Sequence, residues 1–248
     1  MNYHIISLFP QSFDSYLSES ILKRAKEDKL INVNFYNPRD FAMAGRKTVQ
    51  TYSERRVDDK PYGGGPGMVI EALPVIRAIE KAVKKAKSVK IQKGKSVRGK
   101  ILKKTKLKII KNPKIKIIFF SPSGKKFTNE YAEATSKKFT DIIMVCGRYE
   151  GIDARIKKVF KMEDVSIGDY VLTGGEIPAM ILIDSISRRI KGVLGDHSSL
   201  EDTRIASSDV YTRPEVIEYK GKKLRVPKVL LSGNHKLIDE WRTENNLL

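Results

Sequence analysis

Apolar positions in this chain come in short runs, and amphipathic stretches separate them. Residues 3–9 read as a strand. Residues 15–29 read as a helix, with Leu17, Ile21, Leu22 and Ala25 on one face. A second strand is expected over 31–36 and a helix over 74–87. The runs at 115–121 (IKIIFFS) and 141–146 (DIIMVC) are mostly apolar, as expected of strands buried on both faces. Helices are expected at 128–138, 152–160 and 176–190, with Pro178 in a first turn, where its missing N–H does no harm. Strands alternating with helices predict an α/β fold, with a mostly parallel sheet covered on both sides. After Gly195 the pattern breaks. Residues 196–210 read as a polar linker, and 211–248 as a short C-terminal domain with one helix near 235–243.

Composition sharpens this picture in one place. The 248 residues carry 48 Lys and Arg against 29 Asp and Glu, a net charge of +19. Residues 81–116 hold 16 of the basic residues and no acidic ones. Without that stretch, 32 basic residues face 29 acidic ones. The body is nearly neutral, and the excess sits in one lysine-rich insert. Such an insert attracts phosphates, or is simply a solvated loop. The one cysteine, Cys146, cannot form an internal disulfide, which fits a reducing cytoplasm. No apolar run is long enough for a membrane span, so no membrane partner is expected.

Glycine is clustered, and the clusters follow strands. Gly63-Gly64-Gly65-Pro66-Gly67 allows positive φ and close approach of backbone to a ligand. Ser121-Pro122-Ser123-Gly124 and Cys146-Gly147-Arg148-Tyr149-Glu150-Gly151 each follow a buried strand. Loops at the carboxyl ends of parallel strands are where α/β proteins bind ligands. Ser166 to Glu176 mixes aliphatic side chains with Gly168, Gly174 and Gly175, so main-chain groups there can hold a heterocycle. Arg148 and Glu150 either line this pocket or pair on the surface. Other chemistries lose ground. Leu8-Phe9-Pro10 stands where a dinucleotide fingerprint would follow the first strand, and no P-loop or G-x-S-x-G elbow occurs. His4, His197 and His235 are scattered, and no cluster has zinc spacing.

In order and content, these loops resemble those of the bacterial tRNA (guanine-N1)-methyltransferases, the TrmD family of the SPOUT superfamily. Leu8-Phe9-Pro10, Asn37-Pro38-Arg39-Asp40-Phe41, Val57 to Met68, Val145 to Asp153, Ser166 to Asp184, Gly192-Val193-Leu194-Gly195 and Tyr211 to Val216 carry the likeness. The resemblance implies a SPOUT-type domain over 1–195 with a deep C-terminal trefoil knot, and a homodimer. It implies a bent S-adenosylmethionine held by Ser121, Pro122, Gly147, Tyr149 and Glu150. Ile167, Gly168, Asp169, Tyr170, Val171 and Leu172 complete the cofactor site, with Gly174, Gly175 and Pro178 nearby. Glu150 is the implied anion for the sulfonium. The implied reaction is methylation of N1 of guanine 37 of tRNA, beside the anticodon, assisted by Mg2+. Asp59, Tyr62, Gly63 and Arg188 would contact the substrate. Asp202 would be the base and Arg188 the donor to guanine O6. The linker is shorter than the family's before Asp202, which leaves Glu201 and Asp196 as alternative equivalents. From the residues alone, Arg188 could equally pair with Asp184, and Asp202 could be a solvated or helix-capping carboxylate. Another SPOUT enzyme acting on ribosomal RNA or a ribose 2′-oxygen, or a non-catalytic RNA-binding protein, are the competing readings. The chain also departs from the family in an insertion at 49–56 and in an early C-terminus.

Overall fold

The computed structural model describes residues 1–42, 56–88, 113–194 and 209–245. The chain divides into two compact units after Leu194. The strands of the first unit are β1 (Asn2–Ile6), β2 (Asn32–Tyr36), β3 (Asp58–Asp59), β4 (Val69–Ile70), β5 (Ile115–Lys126), β6 (Asp141–Val145) and β7 (Glu163–Ser166). Five of them form one sheet in the order β2-β1-β6-β5-β7, and every adjacent pair is parallel. The short β3 and β4 make an antiparallel ribbon.

Both faces of this sheet are buried, which explains the mostly apolar runs of β5 and β6. Along β6, Ile142 and Met144 enter one core and Ile143 and Val145 the other. The helices are α1 (Asp14–Leu17), α2 (Ser20–Glu27), α3 (Ala72–Lys87), α4 (Asn129–Lys138), α5 (Ile156–Val159) and α6 (Glu176–Arg188). Ala179, Leu182, Ile183 and Ile186 of α6 pack on the first face, with Tyr3 and Ile5. Val75, Ala78, Ile79 and Ala82 of α3 pack on the second, with Ile6. Thr128 caps α4 by accepting from the Tyr131 N–H. The buried His4 is fully partnered: its Nε2 lies 3.1 Å from Asp141 Oδ1 and its Nδ1 3.0 Å from the Tyr36 hydroxyl. Burial, with Asp141 nearby, pushes the Tyr36 hydroxyl up to about 12.

Several expected elements change shape. The helix expected over 15–29 is two helices, because Ser18 closes a turn onto Ser15 and Ser20 takes a φ of +48°. The helix expected over 152–160 shrinks to α5, because Ile152 and Asp153 pair with Ile70 instead. β5 runs further than expected, and β7 was not foreseen. Phe120 and Lys125 both sit opposite Val165, so Ser121 to Gly124 bulges out within one strand rather than following it.

The second unit holds a hairpin, β8 (Val216–Tyr219) with β9 (Lys222–Arg225), then α7 (Lys228–Leu231) and α8 (His235–Glu244). The hairpin was not part of the expectation, which gave this short C-terminal domain a helix alone. Lys220 and Gly221 both have positive φ, the backbone that two-residue hairpin turns require. Asn234 caps α8, accepting from Lys236 N and Leu237 N.

Ile143 is fully buried in the middle of the sheet. Ile143→Ala is expected to lower unfolding free energy by about 2–5 kcal/mol in a urea titration. A loss well under about 1 kcal/mol would contradict this packing.

Candidate active site

A cleft of about 500 Å³ opens at the carboxyl ends of β5, β6 and β7. That is the general ligand position in parallel α/β sheets. Ser121 and Pro122 of the β5 bulge line it, as do Gly147, Tyr149 and Glu150 of the loop after β6. The loop after β7 contributes Ile167, Gly168, Tyr170, Val171 and Leu172. Gly174, Gly175 and Pro178 complete the wall. The expected cofactor residues therefore converge, with one exception. Asp169 does not line the cleft; its carboxylate reaches the Lys126 ammonium, 2.6 Å away.

The loops are held by backbone contact. Gly175 N donates to Gly147 O at 3.0 Å, and a Cβ on Gly175 would lie 2.6 Å from Cys146 Cα. No side chain fits between these segments. Ser166 Oγ donates to Gly168 O and accepts from Gly168 N, tying the start of the third loop. Tyr149 takes a φ of +60°, a conformation a non-glycine residue keeps only where its surroundings hold it. Glu150 is exposed, and its N–H donates to Met68 O.

Beneath the cleft lies a charge that sequence reading missed. Glu176, the first residue of α6, is only 2% exposed. Ser7 Oγ donates to its Oε1 at 2.7 Å. Arg148 Nε lies 2.9 Å from its Oε2, though the N–H is not aligned for a hydrogen bond. Arg148 thus pairs inward with Glu176 rather than with Glu150 on the surface. The guanidinium also lies 4.9 Å from the centre of the Phe9 ring. The sequence offered only that Glu176 follows two glycines, and nothing local linked it to Ser7 or Arg148.

The remaining expected residues sit elsewhere. Asp59, Tyr62 and Gly63 do not line the cleft; they lie on the β3–β4 ribbon, with Tyr62 fully exposed. The ribbon is anchored to the cleft loop where Glu150 N meets Met68 O and Ile70 N meets Gly151 O. Gly63, Gly64, Gly65 and Gly67 all have positive φ, so this loop needs its glycines. Arg188 is the last residue of α6 and half-buried. Asp184 accepts a hydrogen bond from Tyr16, which raises the Tyr16 hydroxyl to about 12. Asp202, with Glu201 and Asp196, lies outside the described residues, as does most of the 81–116 insert. Among the described residues, no three His, Cys, Asp or Glu side chains group as metal ligands. No described helix is long and apolar enough to cross a membrane.

Cys146 is buried beside the Gly175 contact. Burial, reinforced by Glu176 and opposed by Arg148, pushes its thiol well above the ordinary value. A raised folded value means the fold holds the proton more tightly than the unfolded chain does. This contribution to stability is therefore complete below the ordinary thiol pKa of about 8.5 and is lost as pH climbs above it. Iodoacetamide at mildly alkaline pH should leave the native thiol intact and label it only on unfolding. Rapid native labelling would contradict the burial.

The family described as tRNA (Guanine-1)-methyltransferase TrmD matches residues 1–106 and 93–248. A tRNA (guanine-N(1)-)-methyltransferase of Clostridioides difficile strain 630 is 41% identical over 251 residues, covering all of this chain and 93% of its own. Its namesake in Geobacillus kaustophilus is 38% identical over 251 residues, covering 100% and 87%. The crystal structure of tRNA (m1G37) methyltransferase from Aquifex aeolicus superposes with a TM-score of 0.68 at 32% identity, covering 98% of this chain and 88% of the other. A glycine-walled cleft at the carboxyl edge of a parallel sheet, together with a match along the whole chain, makes this protein a member of the tRNA (guanine-1)-methyltransferase TrmD family.

Proposed function

We propose that this chain transfers a methyl group from S-adenosylmethionine to N1 of guanine 37 of tRNA. The observation that carries this reading is the cleft itself, on a chain that belongs to the TrmD family. Its volume of about 500 Å³ suits a nucleoside-sized ligand. Aliphatic Ile167, Val171 and Leu172 offer an apolar cover, and the glycine loops offer backbone donors and acceptors. Of the charged side chains lining the cleft, Arg148 and Lys157 are each matched by a carboxylate, Glu176 and Asp164. Glu150 has no ion-pair partner among the described residues, so the cleft is left with one open negative charge. That balance favours a cationic ligand.

When bound, S-adenosylmethionine supplies an electrophilic methyl group. Guanine N1 carries a proton at neutral pH and is a poor nucleophile. In this reading Asp202 takes that proton as N1 attacks, acting as a general base. Negative charge then builds on O6, and Arg188 stabilises it electrostatically. Glu150 would supply the anion for the sulfonium, and the Asp59, Tyr62 and Gly63 loop would contact the nucleotide. Mg2+ belongs to the reading by resemblance only. The described residues offer no ligand cluster that fits it, so no step is assigned to it.

The same reading includes the trefoil knot, supported by likeness to the Aquifex aeolicus structure. It includes a cytoplasmic homodimer. Ile177 and Ile181, one turn apart on α6, are 51% and 37% exposed and offer an apolar stripe for a second copy. Its domains are 1–195, a linker at 196–210 and a C-terminal domain at 211–248. The lysine-rich 81–116 insert would add phosphate contacts.

The test is methylation of a tRNA transcript with guanine at position 37, beside one with adenine there, followed by nucleoside identification. N1-methylguanosine in the first alone is expected; methylation elsewhere, or none, would overturn the reading. Asp202→Asn and Arg188→Ala should each lower kcat by about a hundredfold with cofactor affinity unchanged. Retained activity in Asp202→Asn would move the base to Glu201 or Asp196.

A further inference from the structure

Four residues after β1, in the loop after β6 and at the start of α6 form a closed ring, one link of it through the Phe9 backbone N–H. Phe9 N donates to Ser7 Oγ at 2.9 Å, and Ser7 Oγ donates to Glu176 Oε1 at 2.7 Å. Glu176 Oε2 lies 2.9 Å from Arg148 Nε, and the Arg148 guanidinium returns to the Phe9 ring at 4.9 Å. Two of the four carry charge. The Glu176 side chain is 3% exposed and that of Arg148 24%, its open part lining the cleft. The space between them is kept by Gly174, whose Cβ would lie 2.4 Å from Arg148 Nε and 2.6 Å from Glu176 Oε2.

A buried carboxylate is costly unless paired, so a mere structural plug here would more simply be apolar. Its position suggests a task. Arg148 is a cation in the wall of a cleft that, in the function proposed above, takes a sulfonium cation. Alone, it would repel that ligand. We infer that Glu176 is a positioning residue acting through Arg148: it cancels the guanidinium charge at the cleft wall, so that Arg148 can bridge the loops at 147–151 and 173–175 without repelling a cationic cofactor. Ser7 and Phe9 fix the carboxylate and the guanidinium in that alignment. The pair lies 2.9 Å apart without an aligned hydrogen bond, so it acts mainly as opposed charges. Lys157 and Asp164 form a second, matched pair at the same cleft, 2.6 Å apart. Their side chains are 40% and 37% exposed, so solvent screens them more.

This inference rests on the cleft being the S-adenosylmethionine site, and the test separates the two claims. Affinities for S-adenosylmethionine and S-adenosylhomocysteine are measured by calorimetry on the full chain. The two ligands share a shape, but the second has no charge on sulfur. If the wild-type protein binds neither, the site reading fails and this inference with it. With wild-type binding in hand, Glu176→Gln should weaken S-adenosylmethionine about tenfold more than S-adenosylhomocysteine. Asp164→Asn should change the ratio of the two affinities far less. A structural role alone would weaken both ligands by the same factor, and that result, or no change, would overturn the inference. The double variant Arg148→Gln, Glu176→Gln carries no uncompensated charge and guards against misfolding of the single one. Its affinity ratio should equal the wild-type ratio; a drop of about tenfold there would assign the effect to shape and overturn the charge account.

Discussion

The site depends on one contact, where the end of β6 meets the start of α6 backbone to backbone. Gly175 N bonds to Gly147 O, and the Gly175 Cα faces Cys146 Cα with no room for a methyl group. This contact brings the loop after β7 against the loop after β6. The wall of the cleft and the first turn of α6 therefore share one fixed reference. α6 in turn packs Ala179, Leu182, Ile183 and Ile186 against the sheet, so a buried core holds the cleft in place. A rigid parallel sheet with ligand loops at its carboxyl edge is a general arrangement. Here it is tightened until glycine is the one residue that fits.

Electrostatics follow from that closeness. Pressing α6 onto the β6 loop buries Glu176 where an unpaired carboxylate could not persist. Ser7 and Arg148 both reach it, and they follow the two strands that lie side by side in the sheet. The chain's large positive charge has little part in this. It lies mostly in the lysine-rich insert, while the cations lining the cleft are each matched by a carboxylate.

Much of this was legible in the sequence, for identifiable reasons. The runs at 115–121 and 141–146 announced strands buried on both faces, and a helix over 128–138 was expected where α4 lies. Glycine after those strands marked the cleft walls. β7 was not legible, because Glu163-Asp164-Val165-Ser166 is an edge strand with a single apolar residue turned into the core. The hairpin was missed although Lys220-Gly221 between two four-residue strands was a readable turn. The Ser121 to Gly124 bulge was not legible, because only pairing with Val165 on both sides reveals it. The Arg148–Glu176 pair joins residues distant in sequence, so no local spacing could show it. The places of Arg188 and Asp202 in the chemistry came from family resemblance, not from periodicity or charge.

The central claim is that glycine backbone contact, more than any side chain, builds the cleft that is proposed to take the cofactor. Gly175→Ala tests it most directly, because one methyl group would enter at 2.6 Å from Cys146 Cα. The measurement is S-adenosylmethionine affinity by calorimetry, with circular dichroism to verify that the sheet and helices persist. The account predicts a folded protein that has lost cofactor binding. A folded Gly175→Ala variant that binds as tightly as the wild type would contradict it.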